Sequence, residues 1–171
     1  MNDVHIAPAL PRGHRVRELV YAYRSLRGSD GRVVDVPSVA LNTRRNAASV
    51  LAPLIADQPV EVFGVACLST RYRLLAWHLL SRGTRVSTPV SMPDVFLPAC
   101  LTPGTTGLMV VHNHPSGDPT PSPDDARLTM RLCAAADLLD IALLDHLIVG
   151  DDGRYFSFHE GGQLTKRNYG E

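Results

Sequence analysis

His112-Asn113-His114-Pro115-Ser116-Gly117-Asp118-Pro119-Thr120-Pro121-Ser122-Pro123-Asp124-Asp125 is the stretch on which the reading of this chain turns. It follows Leu108-Met109-Val110-Val111, an apolar run that predicts a buried strand ending at His112. It precedes a helical pattern from Asp124 to about Leu139, with Leu128, Leu132, Ala135, Ala136 and Leu139 facing inward. Four prolines from Pro115 to Pro123 stiffen the loop between them. A further apolar run, Ala142 to Val149, predicts the next strand. Strand, loop, helix and strand in this order indicate an α/β domain.

The same stretch carries the chemistry. Side chains alternate along a strand, so His112 and His114 point to one face and both imidazoles can reach one ion. Asp125 lies in the first turn of the helix, and the loop can return its carboxylate to the histidines. Two histidines and one carboxylate suit zinc, with a fourth position left for water. Water held in this way has its pKa lowered to about 7 and becomes a nucleophile. Each residue also has an ordinary reading. A lone His-x-His is common without a ligand role. Ser122-Pro123-Asp124-Asp125 is a good helix start, with Ser122 as cap, Pro123 first in the helix and Asp125 completing a capping box. The two roles of Asp125 are partly compatible.

Glu61, in Pro59-Val60-Glu61-Val62-Phe63, is unexpected inside an apolar strand. Its plain alternative is an edge or strand-start residue facing water. His146, beside Asp145 in an apolar strand, reads as a hydrogen-bonded core residue or a support for the site.

Outward from this centre, Asn42 or Thr43 caps a predicted helix running to about Ala56 and ended by Pro59. Val60 to Ser69 reads as a strand, and Leu74 to Leu80 as its antiparallel neighbour. Ser91 caps a helix to about Leu101, in which Pro98 predicts a kink or shortening. Arg154 to Phe158 reads as the last strand. The expected organisation is an arm over residues 1–41 with a helix from Arg15 to Leu26, a domain over 42–161 and a tail over 162–171.

The 171 residues are 44% apolar and 20% charged, which fits one ordinary globular domain. Seventeen basic and seventeen acidic residues give zero net charge, which argues against a generic DNA-coating protein. The zero is uneven: residues 1–45 hold eight arginines against four acids, and residues 112–160 nine acids against three arginines. No run approaches the ~20 apolar residues of a membrane helix. The first residues lack a secretory pattern. Cys67, Cys100 and Cys133 are widely spaced without a CxxC, so each reads as a small buried hydrophobe in a cytoplasmic protein.

His-x-His-Pro followed by Ser-x-x-Asp, with Ser122 eight residues after His114, resembles the JAMM motif of the JAB/MPN+ metalloprotease superfamily. The wording His-Asn-His-Pro-Ser-Gly-Asp-Pro-Thr-Pro-Ser resembles the signature of its RadC-type branch. Val95-Phe96, Leu144 to Gly150 and Gly153 to Phe158 extend the likeness over about Thr43 to Gly161. The resemblance implies a three-layer α/β/α sandwich with a mixed central sheet, a cytidine-deaminase-like layer order. It also implies one zinc ion held by His112, His114 and Asp125, a Ser122 that positions water or oxyanion, and Glu61 as the proton carrier. The activity implied is hydrolysis of a peptide or isopeptide bond in a peptide or protein substrate. The alternative implied by the RadC branch is a DNA-associated, repair-linked protein acting by nucleic-acid or partner binding. Residues 1–40 show no helix-hairpin-helix pattern, as in the shorter RadC-like proteins. A non-catalytic scaffold is disfavoured because no motif residue is lost. A zinc nucleobase deaminase needs His-x-Glu and Pro-Cys-x-x-Cys, and neither occurs.

Overall fold

A computed structural model describes residues 39–55, 58–82 and 90–164. The expected helix from Arg15 to Leu26, most of the arginine-rich arm and the end of the tail lie outside the described residues. The elements are α1 (Arg44–Leu51), β1 (Val62–Leu68), β2 (Leu74–Arg82), α2 (Met92–Leu101), β3 (Gly107–Asn113), α3 (Pro123–Leu139), β4 (Ala142–Val149) and β5 (Tyr155–Ser157). Short 3-10 turns cover Ala52–Leu54 and Asp151–Gly153.

The five strands form one mixed sheet in the order β2-β1-β3-β4-β5. β1 pairs antiparallel with both β2 and β3, and β4 with β5. Only β3 and β4 are parallel, because α3 carries the chain back across the sheet between them.

Strand alternation sends buried side chains to two opposite faces. Ala66, Leu68, Met109, Val111, Leu147 and Val149 pack with α1 through Ala47, Val50 and Leu51. Phe63, Val65, Leu108 and Val110 pack with Val95, Phe96 and Ala99 of α2 and Leu132 and Ala136 of α3. The result is the three-layer α/β/α sandwich. Each large apolar side chain so buried contributes roughly 1.5–3 kcal/mol before entropy is counted. Among the described residues no helix is long and apolar enough to cross a membrane.

Several boundaries differ from expectation. Thr43 does cap α1, accepting the N–H of Asn46 at 3.2 Å. The helix stops at Leu51 instead of Ala56, because Pro53 has no N–H to continue the ladder and the chain tightens into a 3-10 turn. β1 begins at Val62, which leaves Glu61 just before the strand. β2 runs on to Arg82, and β5 covers only Tyr155–Ser157. Ser91 stands at the start of α2 without a side-chain capping bond. That helix continues past Pro98 to Leu101, with Thr102 N–H donating to the Pro98 carbonyl at 3.0 Å. Cys67 is buried as expected, but Cys133 is only partly buried and Cys100 is exposed.

Candidate metal centre

β3 delivers His112 to the face of the sheet that α3 covers, fully buried. His114 follows one residue beyond the strand end. The loop returns to the start of α3, where Ser122 and Asp125 form a reciprocal cap. Ser122 Oγ accepts the Asp125 N–H at 3.2 Å, and Asp125 Oδ2 accepts the Ser122 N–H at 2.7 Å and its hydroxyl at 2.6 Å. The same carboxylate also faces the histidines. Asp125 Oδ1 is 3.2 Å from His112 Nε2, and Oδ2 is 3.5 Å from His114 Nε2. The two Nε2 atoms are 3.1 Å apart. Capping and convergence therefore coexist in Asp125.

The donor chemistry fits a cation. His114 Nδ1 lies 2.8 Å from the Asp118 carbonyl, which can only accept, so Nδ1 carries the hydrogen. In the neutral ring Nε2 is then bare, and it points at a second imidazole nitrogen and at an anionic carboxylate. A cation between these groups would satisfy all of them. The hydrogen bond to Asp125 raises the pKa of His114, against its partial burial. Burial disfavours the Asp125 carboxylate, but the facing imidazoles of His112 and His114 and the bond from Ser122 outweigh it and hold its pKa well below the usual carboxylate range. His112, His114 and Asp125 are a group able to hold a metal ion.

Glu61 is exposed, as the strand-start alternative expects, and its charge adds to the field that raises the pKa of His114. Its backbone is held by Asn113, the residue between the two histidines. Asn113 is buried and bonds to the main chain of Gln58, Val60 and Val62.

Behind His112 lies a buried stack. The Phe63 ring covers His112 at 4.7 Å and 10°, and Phe158 covers His146 at 4.8 Å and 9°. His146 Nε2 is 2.9 Å from His112 Nδ1. His146 Nδ1 is 2.7 Å from Thr129 Oγ1. Burial pushes the pKa of His146 well below its ordinary value. The expectation that His146 supports the site thus acquires a partner. Thr129 carries no local signal in the sequence, although it lies one helical turn after Asp125 on the same face.

Two further ties brace the site. Buried Asp145 pairs with Arg44 at 3.0 Å and accepts from Ser157 Oγ at 2.6 Å and His159 N–H at 3.0 Å, joining α1, β4 and β5. The Gly117 carbonyl accepts from Asp151 N–H and the Arg154 guanidinium, each at 3.0 Å, which pins the histidine loop to the turn after β4. His114 N–H donates to the Val149 carbonyl at 2.9 Å on the same seam.

A family profile described as a RadC-like JAB domain matches residues 41–163. Similar proteins include the UPF0758 protein of Thermotoga maritima, 43% identical over 104 residues, or 61% of this chain and 46% of that protein. UPF0758 protein STH371 of Symbiobacterium thermophilum is 39% identical over 127 residues, covering 74% of this chain and 53% of that protein. The UPF0758 protein of Methanosarcina mazei is 34% identical over 129 residues, covering 75% and 56%. The chain spans about half the length of the curated relatives it matches.

Proposed function

Because the chain belongs to the RadC-like JAB domain family, we propose that it is a zinc-dependent hydrolase of the JAMM type acting on a peptide or isopeptide bond in the cytoplasm. The convergence of His112 Nε2, His114 Nε2 and the Asp125 carboxylate on one point is the observation that carries this reading. These three groups would hold one zinc ion. Bound there, zinc supplies Lewis-acid activation of water and polarises a substrate carbonyl.

The remaining steps belong to the protein. Glu61 is exposed and near enough for its charge to be felt at His114, so its carboxylate would take a proton from the attacking water and pass it to the leaving amine. Ser122 gives its hydroxyl hydrogen to Asp125 Oδ2, and on leaving that carboxylate the hydroxyl would orient the attacking oxygen or the oxyanion. The burial of His112 behind Phe63 removes water from one side of the reaction centre.

Metal analysis of the purified chain tests the reading. The expected result is stoichiometric zinc, lost in His112→Ala, and a zinc-dependent peptidase activity that Glu61→Gln abolishes without releasing the metal. A folded wild-type chain that takes up no zinc overturns it.

A further inference from the structure

We propose that Thr129 and His146 form a positioning relay that sets the hydrogen of His112 on Nδ1 and leaves its Nε2 lone pair facing His114 and Asp125. The inference rests on the metal-site reading above and adds a cause for the aim of one ligand.

The direction of each bond follows from counting hydrogens. The backbone carbonyl of Asp125 can only accept, and Thr129 Oγ1 lies 2.7 Å from it. The single hydroxyl hydrogen of Thr129 is therefore used there. Thr129 Oγ1 can then only accept from His146 Nδ1, 2.7 Å away, so Nδ1 carries the hydrogen. Fully buried His146 meets only a hydroxyl and an imidazole at its two ring nitrogens, so with its hydrogen on Nδ1 its Nε2 is bare. That nitrogen accepts from His112 Nδ1 at 2.9 Å. His112 Nε2 is consequently bare and turned to the other two donors.

A ligating histidine usually presents its second N–H to a carboxylate, a carbonyl or water, and the first two fix the direction unaided. Here the partner is another imidazole, which can give or take. The acceptor-only carbonyl of Asp125, acting through the Thr129 hydroxyl, removes that ambiguity. The relay begins at the main chain of one candidate ligand, Asp125, and ends on the ring of another, His112. Phe63 and Phe158 cover the outer faces of the two rings and hold them in register.

Nitrogen NMR of the imidazoles and zinc competition against a chelator test the relay. In metal-free wild type, His146 is expected to carry its hydrogen on Nδ1. Thr129→Val should mix the two His146 tautomers and lower zinc affinity about 10–100-fold, while Thr129→Ser keeps both near wild type. A wild-type His146 protonated on Nε2 overturns the relay, and so does a Thr129→Val chain that binds zinc as tightly as wild type. A wild type that binds no zinc overturns the metal-site reading instead, and the His146 spectrum still decides the relay. That spectrum needs no variant, so a Thr129→Val chain that fails to fold does not remove the test.

Discussion

Asn113 Oδ1 accepts the backbone N–H of Val62 at 2.8 Å, so the residue between the two histidines also fixes the entry to β1. Its Nδ2 donates to the carbonyls of Gln58 and Val60, each at 3.2 Å, which places bonds on both sides of Glu61. Asn113→Ala leaves the N–H of Val62 buried without a partner and should cost about 1–3 kcal/mol. Hydrogen exchange at the Val62 amide should accelerate, with zinc content retained and peptidase activity reduced. Unchanged exchange at that amide would remove the basis for this role.

Asp125 serves a helix start and a cation at once, and two variants separate these roles. Asp125→Asn keeps an oxygen for the Ser122 N–H but loses the charge that faces the histidines. It should unfold near the wild-type denaturant midpoint and release zinc. Ser122→Ala should keep zinc but lose about 0.5–2 kcal/mol of stability with its cap. Urea titration and metal analysis of both chains read the crossed pattern; equal zinc content in the two would contradict it.

Ser157→Ala should show a penalty that depends on pH. Burial pushes the pKa of Asp145 up, against its bonds from Ser157 and His159 and the nearby Arg44. A carboxyl whose folded pKa is raised adds stability at low pH that is lost as pH rises through the folded value. Removing the serine hydroxyl raises that value further. The variant should therefore lose about 1.5–3 kcal/mol at neutral pH and less in acid, where the carboxyl is protonated. Thermal melts at several pH values would reveal a constant difference if the bond to the ionised form were unimportant.

Gly150→Ala probes the seam between the histidine loop and the turn after β4. A Cβ at Gly150 would lie 2.4 Å from the Gly117 carbonyl oxygen and 2.7 Å from Pro119 Cδ. Gly150 has ordinary extended backbone angles, so the cost is collision alone. The variant should lose about 1–3 kcal/mol and bind zinc more weakly, since the displaced loop carries His114. Gly153→Ala is the contrast: φ is +70° but nothing lies within 4 Å, so it should cost about 1–2 kcal/mol and leave zinc affinity intact. Parallel chelator titrations of the two variants distinguish the seam from general destabilisation.

The strand, loop and helix around His112 and Asp125 were legible because their signals are local: an apolar run, a proline-stiffened loop and a capping pattern. Thr129 was not, since an inward threonine on a helix resembles any core residue until its partner is known. That partner depends on the parallel register of β3 with β4, where Val110 lies opposite His146, and no local pattern sets such a register. The pairing of Arg44 with Asp145 was hidden for the same reason. The early end of α1 has a visible local signal, because Pro53 stands closer to the helix than Pro59. Glu61 was read in its sequence place, but its exposure follows from the late start of β1.

The parallel pairing of β3 with β4 also sets an order of events in synthesis. His112, His114 and Asp125 all belong to the unit built from β3, the loop and α3, whereas His146 comes with β4. A growing chain exposes its N-terminal elements first. The nascent polypeptide therefore possesses a full set of donors before it possesses the group that orients them. Maturation of the centre is thus a late step, completed when the final strands dock and not when the last donor leaves the ribosome.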